Sequence, residues 1–244
     1  MSARRHSSAV LFKISMNTGQ HTRTGTSQQT IVDELRRVIL DGAVPPGTPI
    51  PVGEIAEMFG VSAIPVRESL KTLKGEGLVQ HRTNSGYTVA QLTASELAEM
   101  YVVRETLESA ALTAAVVNAT DADRDHVADV NRLLEKAVRE NDSQTYHRQS
   151  RHFHLGLTRP SRMHRLVHML ESAWNITEPV QLMVHVPRVD RNLLHEDHNE
   201  MLDAFLSRDV DRLLATAAVH HGRLNTVVST LSLDSGVIVE SPED

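Results

Sequence analysis

The sequence predicts a mainly α-helical chain in two parts, an N-terminal winged helix-turn-helix and, behind it, an all-α antiparallel helical bundle. Three observations carry this. Within residues 45–91, two short helical segments and two strand-like segments are punctuated by glycine and proline. From Thr93 onward, apolar residues recur at helical spacing in segments separated by short polar breaks. The 244 residues exceed the usual single-domain size, so two hydrophobic cores are expected. The expected organisation is an arm over 1–26, a first domain over 27–91, the bundle over 92–233 and a tail over 234–244.

The first helix runs from Val52 to Phe59 with Ile55, Met58 and Phe59 on one face. Gly60 stops it, because glycine takes the left-handed conformation of a helix C-terminus without steric penalty. Ser62 then stands as N-cap of a second helix, and Pro65 falls in its first turn, where a missing N–H costs nothing. Val66, Leu70 and Leu73 form the buried stripe of that helix, which leaves Arg67, Ser69, Lys71 and Lys74 to solvent or phosphate. After Gly75 and Gly77, the segments LVQHR and GYTVAQ are two strands around the turn Thr83-Asn84-Ser85-Gly86. A helix pair followed by a β-wing suits the reading of double-stranded DNA; the same elements also serve as a structural or protein-binding module.

The run Leu40-Asp41-Gly42-Ala43-Val44-Pro45-Pro46-Gly47, followed by GVSAIPVRESLKTLKGEGLV and NSGYTV, resembles the N-terminal domain of the GntR family of bacterial transcription regulators. The resemblance implies DNA contact through Ser62, Ala63, Ile64, Arg67 and Lys71 on the second helix and through Arg82, Asn84, Ser85 and Gly86 on the wing. Family members often place a basic residue where Ala63 stands, a threonine at Ile64 and an arginine at Ser85. The operator sequence therefore does not carry over from relatives.

Composition narrows the class further. The chain has no cysteine, which excludes disulfides, cysteine-ligated zinc and thiol catalysis. Aromatic residues are only 3%, so the cores rest on Leu, Val, Ile, Ala and Met. Residues 1–91 hold 10 basic and 7 acidic side chains, whereas the remainder holds 15 and 24. A mildly positive head suits DNA, and the acidic body does not. The charge of the head is small, so binding calls for two copies acting together on an inverted repeat. The longest apolar run near the N-terminus, Ala9–Phe12, is too short for a signal-peptide core, and no stretch is long enough to span a membrane. The first 26 residues, rich in Ser, Thr, Arg and Gly, are expected to be a disordered arm.

In the second part, helices are expected near 93–118, 121–141, 143–158, 161–185, 190–207 and 209–231. Thr120-Asp121, Asp142-Ser143, Pro160-Ser161 and Pro187 supply stops and caps, and Pro179 kinks or divides the fourth helix. The phrases Leu92-Thr93, Met100-Tyr101-Val102-Val103-Arg104-Glu105-Thr106-Leu107-Glu108, Phe153-His154-Leu155-Gly156-Leu157 and Glu196-Asp197-His198, with Asp209 and His220, resemble the FCD ligand-binding domain of the FadR branch of the same family. The helix count is similar to the six-helix, VanR-like form of that domain.

Among 14 histidines, three stand out by position. His154 lies on the stripe Tyr146-Ser150-Phe153-His154-Leu157, His198 on Leu194-His198-Met201-Phe205, and His220 on Leu213-Ala217-His220-Leu224. Each points into the bundle from a different helix. Three buried imidazoles are either hydrogen-bonded core residues or ligands of one divalent metal, and imidazole suits zinc, nickel, copper or iron. The resemblance favours metal, because FCD domains often bind one through three histidines and an aspartate. Zinc or nickel is the expected ion. Ser150 occupies the place of that aspartate, one turn before His154, and His147 is an alternative fourth ligand. Arg104 follows Met100 and Val103 on an apolar helix and either pairs with Glu105 or Glu108 or, as the resemblance implies, holds a small carboxylate effector against the metal.

No HExxH, G-x-S-x-G, Walker or dinucleotide-binding glycine pattern occurs, and Glu196 and Asp197 are read as pointing off the core stripe, so no enzyme is expected. The sequence is read as a cytoplasmic, homodimeric transcription regulator, a repressor answering to a small organic acid. The alternative is a metal-only sensor or a metal-stabilised regulator without an organic effector.

Overall fold

A computed structural model of the chain describes residues 27–83, 86–230 and 238–239. The expected arm, the wing-tip residues Asn84 and Ser85, and all of the expected tail except 238–239 lie outside the described residues. The described chain separates into two compact units, one of residues 27–92 with 175–180 and 238–239, the other of residues 93–174 and 181–230.

In the first unit, α1 (Gln28–Leu40) starts at Ser27, whose hydroxyl accepts from the Thr30 N–H. Its buried face of Ile31, Val32, Leu35, Val38 and Ile39 packs with Ile55 of α2 (Val52–Phe59) and Val66, Leu70 and Leu73 of α3 (Ala63–Gly75). Gly60 closes α2 with φ of 65°, the left-handed cap expected of it. Arg36 of α1 donates to both carboxylate oxygens of Glu76 just past α3, at 2.9 and 2.7 Å. Strands β1 (Val79–Arg82) and β2 (Gly86–Val89) pair antiparallel, Val79 opposite Val89 and Arg82 opposite Gly86. The loop before α2 joins this hairpin through the Ile50 N–H on the Tyr87 carbonyl at 2.8 Å. Pro49 bridges Thr88 of β2, and two-residue strands form at β3 (Leu92–Thr93) and β4 (Ile238–Val239).

Three local expectations need correction. Met58 is 38% exposed, and Ala56 instead joins Ile55 in the buried face of α2. Ser69 is fully buried, its hydroxyl donating to the carbonyls of Pro65 (2.9 Å) and Gln28 (3.2 Å), because a small polar residue fits where α1 crosses α3. Ser62 is the N-cap residue of α3, yet its side chain makes no cap bond.

In the second unit, α4 (Ala94–Asn118) and α5 (Asp121–Glu140) each begin with a reciprocal capping box, Thr93 with Glu96 and Thr120 with Asp123. Next come α6 (Ser143–Thr158), capped by Asp142, and α7 (His164–Thr177). The helix expected over 161–185 is divided: a 3₁₀ turn at Glu178–Val180, which belongs to the first unit and has Pro179 at its centre, separates α7 from the one-turn α8 (Leu182–His185). Then α9 (Arg188–Leu206) and α10 (Val210–Ser229) complete the bundle, the latter capped by Asp209. Helix α5 packs on α6 and α9, and α4 packs on α6 and α10. Gly156 allows a close approach of α6 to α5, since a Cβ there would stand 3.1 Å from Val127 Cγ2. None of the described helices is long and apolar enough to cross a membrane.

Candidate functional site

Helices α6, α9 and α10 each deliver one histidine to the same interior point. His154, His198 and His220 are all at most 1% exposed. One nitrogen from each lies within 4.8 Å of the other two, and His154 Nε2 is 3.1 Å from His198 Nε2. A tetrahedral ion with bonds of 2.0–2.1 Å keeps its ligands about 3.4 Å apart, so the three rings fit one such ion with small adjustments. Neither ring nitrogen of His220, by contrast, has a hydrogen-bond partner among the described residues, though both are buried. An ion gives the lone pair of one of them a use.

The other face of each ring is held from behind. His154 Nδ1 bonds to the Glu108 carboxylate of α4. His198 Nδ1 lies 3.3 Å from the Tyr146 hydroxyl. His220 Nδ1 faces Asp197 at 3.5 Å, and Asp197 accepts from Arg223 Nε at 2.9 Å. The second Glu108 oxygen lies 3.6 Å from His221 Nε2. With Nδ1 so occupied, His154 and His198 turn Nε2 inward toward each other, the arrangement common to metal-bound imidazole.

Burial keeps His198, His220 and His221 neutral. Burial, reinforced by neighbouring imidazoles, pushes His198 well below its ordinary value. Burial also pushes His220 down to about 4, against the opposing pull of Asp197. His221 falls to about 3 by burial, with Glu108 opposing. Burial pushes the Glu108 carboxyl up, but its interactions with His154 above all, and with His221 and Arg104, bring it down to about 2. Two neutral imidazoles and a carboxylate behind the third form a donor set ready for a divalent ion.

Ser150 is buried one turn before His154. His147 is buried too, but among the described residues the group able to hold an ion is His154, His198 and His220, and His147 stands outside it. Arg104, 3% exposed, lays its guanidinium 3.2 Å from the Trp174 ring centroid and 4.4 Å from that of Tyr101. Tyr101, Arg104 and Glu108 follow one another at three- and four-residue steps, so both charges lie on the buried face of α4. Glu108, expected from sequence as a partner for Arg104, meets His154 as well. Asp197 corrects an expectation: it is buried against His220 and Arg223, not turned away from the core. His221 was likewise unforeseen, since it follows His220 and falls off the simple apolar stripe.

In the first unit, Ser62, Ile64, Arg67, Lys71 and Arg82 are exposed, and Ala63 and Gly86 are half-buried. Lys71 meets Glu68 at 2.8 Å in an exposed pair, worth little against a phosphate. His81, not singled out by sequence, is exposed on β1 and packs 4.5 Å from the Tyr87 ring.

Residues 27–89 match the family described as bacterial regulatory proteins, gntR family, and residues 99–223 match the FCD domain. An uncharacterized HTH-type transcriptional regulator, YdhC of Bacillus subtilis (strain 168), is 30% identical over 104 residues, 43% of this chain and 45% of that protein. The match thus spans less than half of that relative. A probable D-xylose utilization operon transcriptional repressor of Paenarthrobacter nicotinovorans is 29% identical over 207 residues, 82% of this chain and 87% of that protein. The solved structure of E. coli McbR/YncC has a similar fold, with a TM-score of 0.73 at 23% identity over 84% of this chain and 98% of that one.

Proposed function

Because the chain belongs to the GntR family of bacterial regulatory proteins and carries an FCD domain, we propose that it is a cytoplasmic, homodimeric repressor whose hold on its operator is set at a metal-containing pocket of the bundle. The chain is a DNA-binding transcription regulator, not an enzyme. The observation that carries the proposal is the convergence of His154, His198 and His220, all buried, with Nδ1 of His154 and His198 already engaged. Zinc or nickel bound there supplies Lewis acidity toward a small carboxylate. Arg104, held between Tyr101 and Trp174, supplies a cation for the same anion from the α4 side. Ser62, Ala63, Ile64, Arg67 and Lys71 face the major groove, and Arg82, Asn84, Ser85 and Gly86 form the wing contact. Two copies read an inverted repeat. An effector that prefers one dimer geometry shifts the population away from the half-site spacing.

The test combines metal analysis of the purified protein with gel-shift titrations of DNA flanking its gene. The expected result is about one zinc or nickel per chain, sequence-specific retention, and release by small organic acids but not by their amides. A chain without metal after growth with both ions overturns the metal centre. Release by chelation or metal addition alone, with no response to acids, transfers the reading to a metal sensor without organic effector.

A further inference from the structure

We propose that Glu108 is the anion of the three-histidine centre, acting from behind His154 as a positioning residue and not as a ligand. The inference rests on the metal reading above and gives Glu108, expected from sequence only as a partner for Arg104, a second role. Glu108 has no exposed surface, and both oxygens are directed at imidazoles, Oε1 at His154 Nδ1 and Oε2 at His221 Nε2, 3.6 Å away. A carboxylate only accepts, so Nδ1 of His154 bears the proton and its Nε2 is left with a lone pair. That Nε2 is the atom 3.1 Å from His198 Nε2.

The three backing groups differ in charge. Tyr146 is neutral behind His198, and the charge of Asp197 behind His220 is answered by Arg223 at 2.9 Å. Glu108 is the backing carboxylate with no exposed surface, its oxygens directed at the imidazoles of His154 and His221. Three neutral ligands leave a divalent ion with its full charge in a buried site. A carboxylate one imidazole away lowers that charge and raises the basicity of Nε2. Ser150, which brings no charge to the place one turn before His154, makes this backing anion necessary.

The experiment is zinc affinity by competition with a chromophoric chelator, on the full-length protein. Glu108→Gln keeps an acceptor for Nδ1–H and removes only the charge; it is expected to weaken zinc binding about 10- to 100-fold. Tyr146→Phe, which removes no charge, is expected to change it by less than about threefold. Adding Ser150→Asp to Glu108→Gln restores the anion from the other side and is expected to recover most of the loss. Affinity in Glu108→Gln equal to wild type overturns the inference while leaving the metal site intact. A loss that Ser150→Asp does not recover assigns Glu108 to the fold and overturns it too. Wild-type protein that takes up no zinc overturns the metal reading instead. If Glu108→Gln does not fold, long-range ¹H–¹⁵N spectra of zinc-loaded wild type decide the matter. A proton on Nδ1 of His154 supports the inference, and Nδ1 ligation overturns it.

Discussion

Arg67 stands exposed two residues after Pro65 on α3, while Ser69, two residues further, is fully buried. The two positions separate recognition from folding. Arg67→Ala is expected to weaken operator binding by about 1–3 kcal/mol and to lower the salt slope by about one, with stability within about 0.5 kcal/mol of wild type. Gel-shifts at several salt concentrations and thermal melts check both halves. Ser69→Ala is the reverse case: it removes the hydroxyl that bonds the Gln28 and Pro65 carbonyls and is expected to cost about 1 kcal/mol in a urea titration. Sequence spacing assigned Ser69 to the exposed face because it weighs polarity and period, not which helix crosses above. The same reason hid Asp197. Its neighbour His198 sits on an apolar stripe that is visible in one dimension, but the Arg223 that accompanies Asp197 comes from α10 and is visible only after packing.

Helix ends were the most legible part of the bundle, because their signals are local. Thr120 and Asp142 each cap the helix expected to follow, and Thr93 and Asp209, expected as first helical residues, are caps as well, since a short side-chain oxygen meets an N–H three residues on. Pro179 divides its helix for an equally local reason. A tie between two other helix ends was not legible. Arg191, in the first turn of α9, donates Nη1 to the carbonyls of Met183 and Val186 and Nη2 to Asn141 Oδ1 at 2.6 Å. Asn141 is itself the left-handed cap of α5, with φ of 54°. One buried guanidinium therefore serves the ends of α5 and α8. Arg191→Met keeps the aliphatic stem and leaves these acceptors unmet, for an expected loss of about 3 kcal/mol. Urea unfolding followed by far-UV circular dichroism measures it, and a loss below about 1 kcal/mol contradicts the clasp.

Across the whole molecule, the buried histidines couple folding to pH. Unfolded, His220 and His221 titrate near 6.5, whereas folded they fall to about 4 and about 3. Between those values the unfolded chain binds more protons, so stability is fully present above about pH 6.5 and declines as the pH falls toward 4. Glu108, lowered from 4.5 to about 2, extends the decline further into acid. Metal-free protein is thus expected to show a flat urea midpoint above about pH 7 and a falling one below about 6.5. Metal-loaded protein starts higher and falls more steeply, because protonation also expels the ion. A midpoint that rises on acidification contradicts the neutral imidazoles. The chain also carries a single tryptophan, and its ring lies 5.7 Å from that of His154 with the Arg104 guanidinium over its face. All indole light from the protein therefore originates beside the candidate ligands. An open-shell ion such as nickel at that distance drains the excited state, and closed-shell zinc does not, so the emission of the intact regulator distinguishes two ions of equal charge without any label.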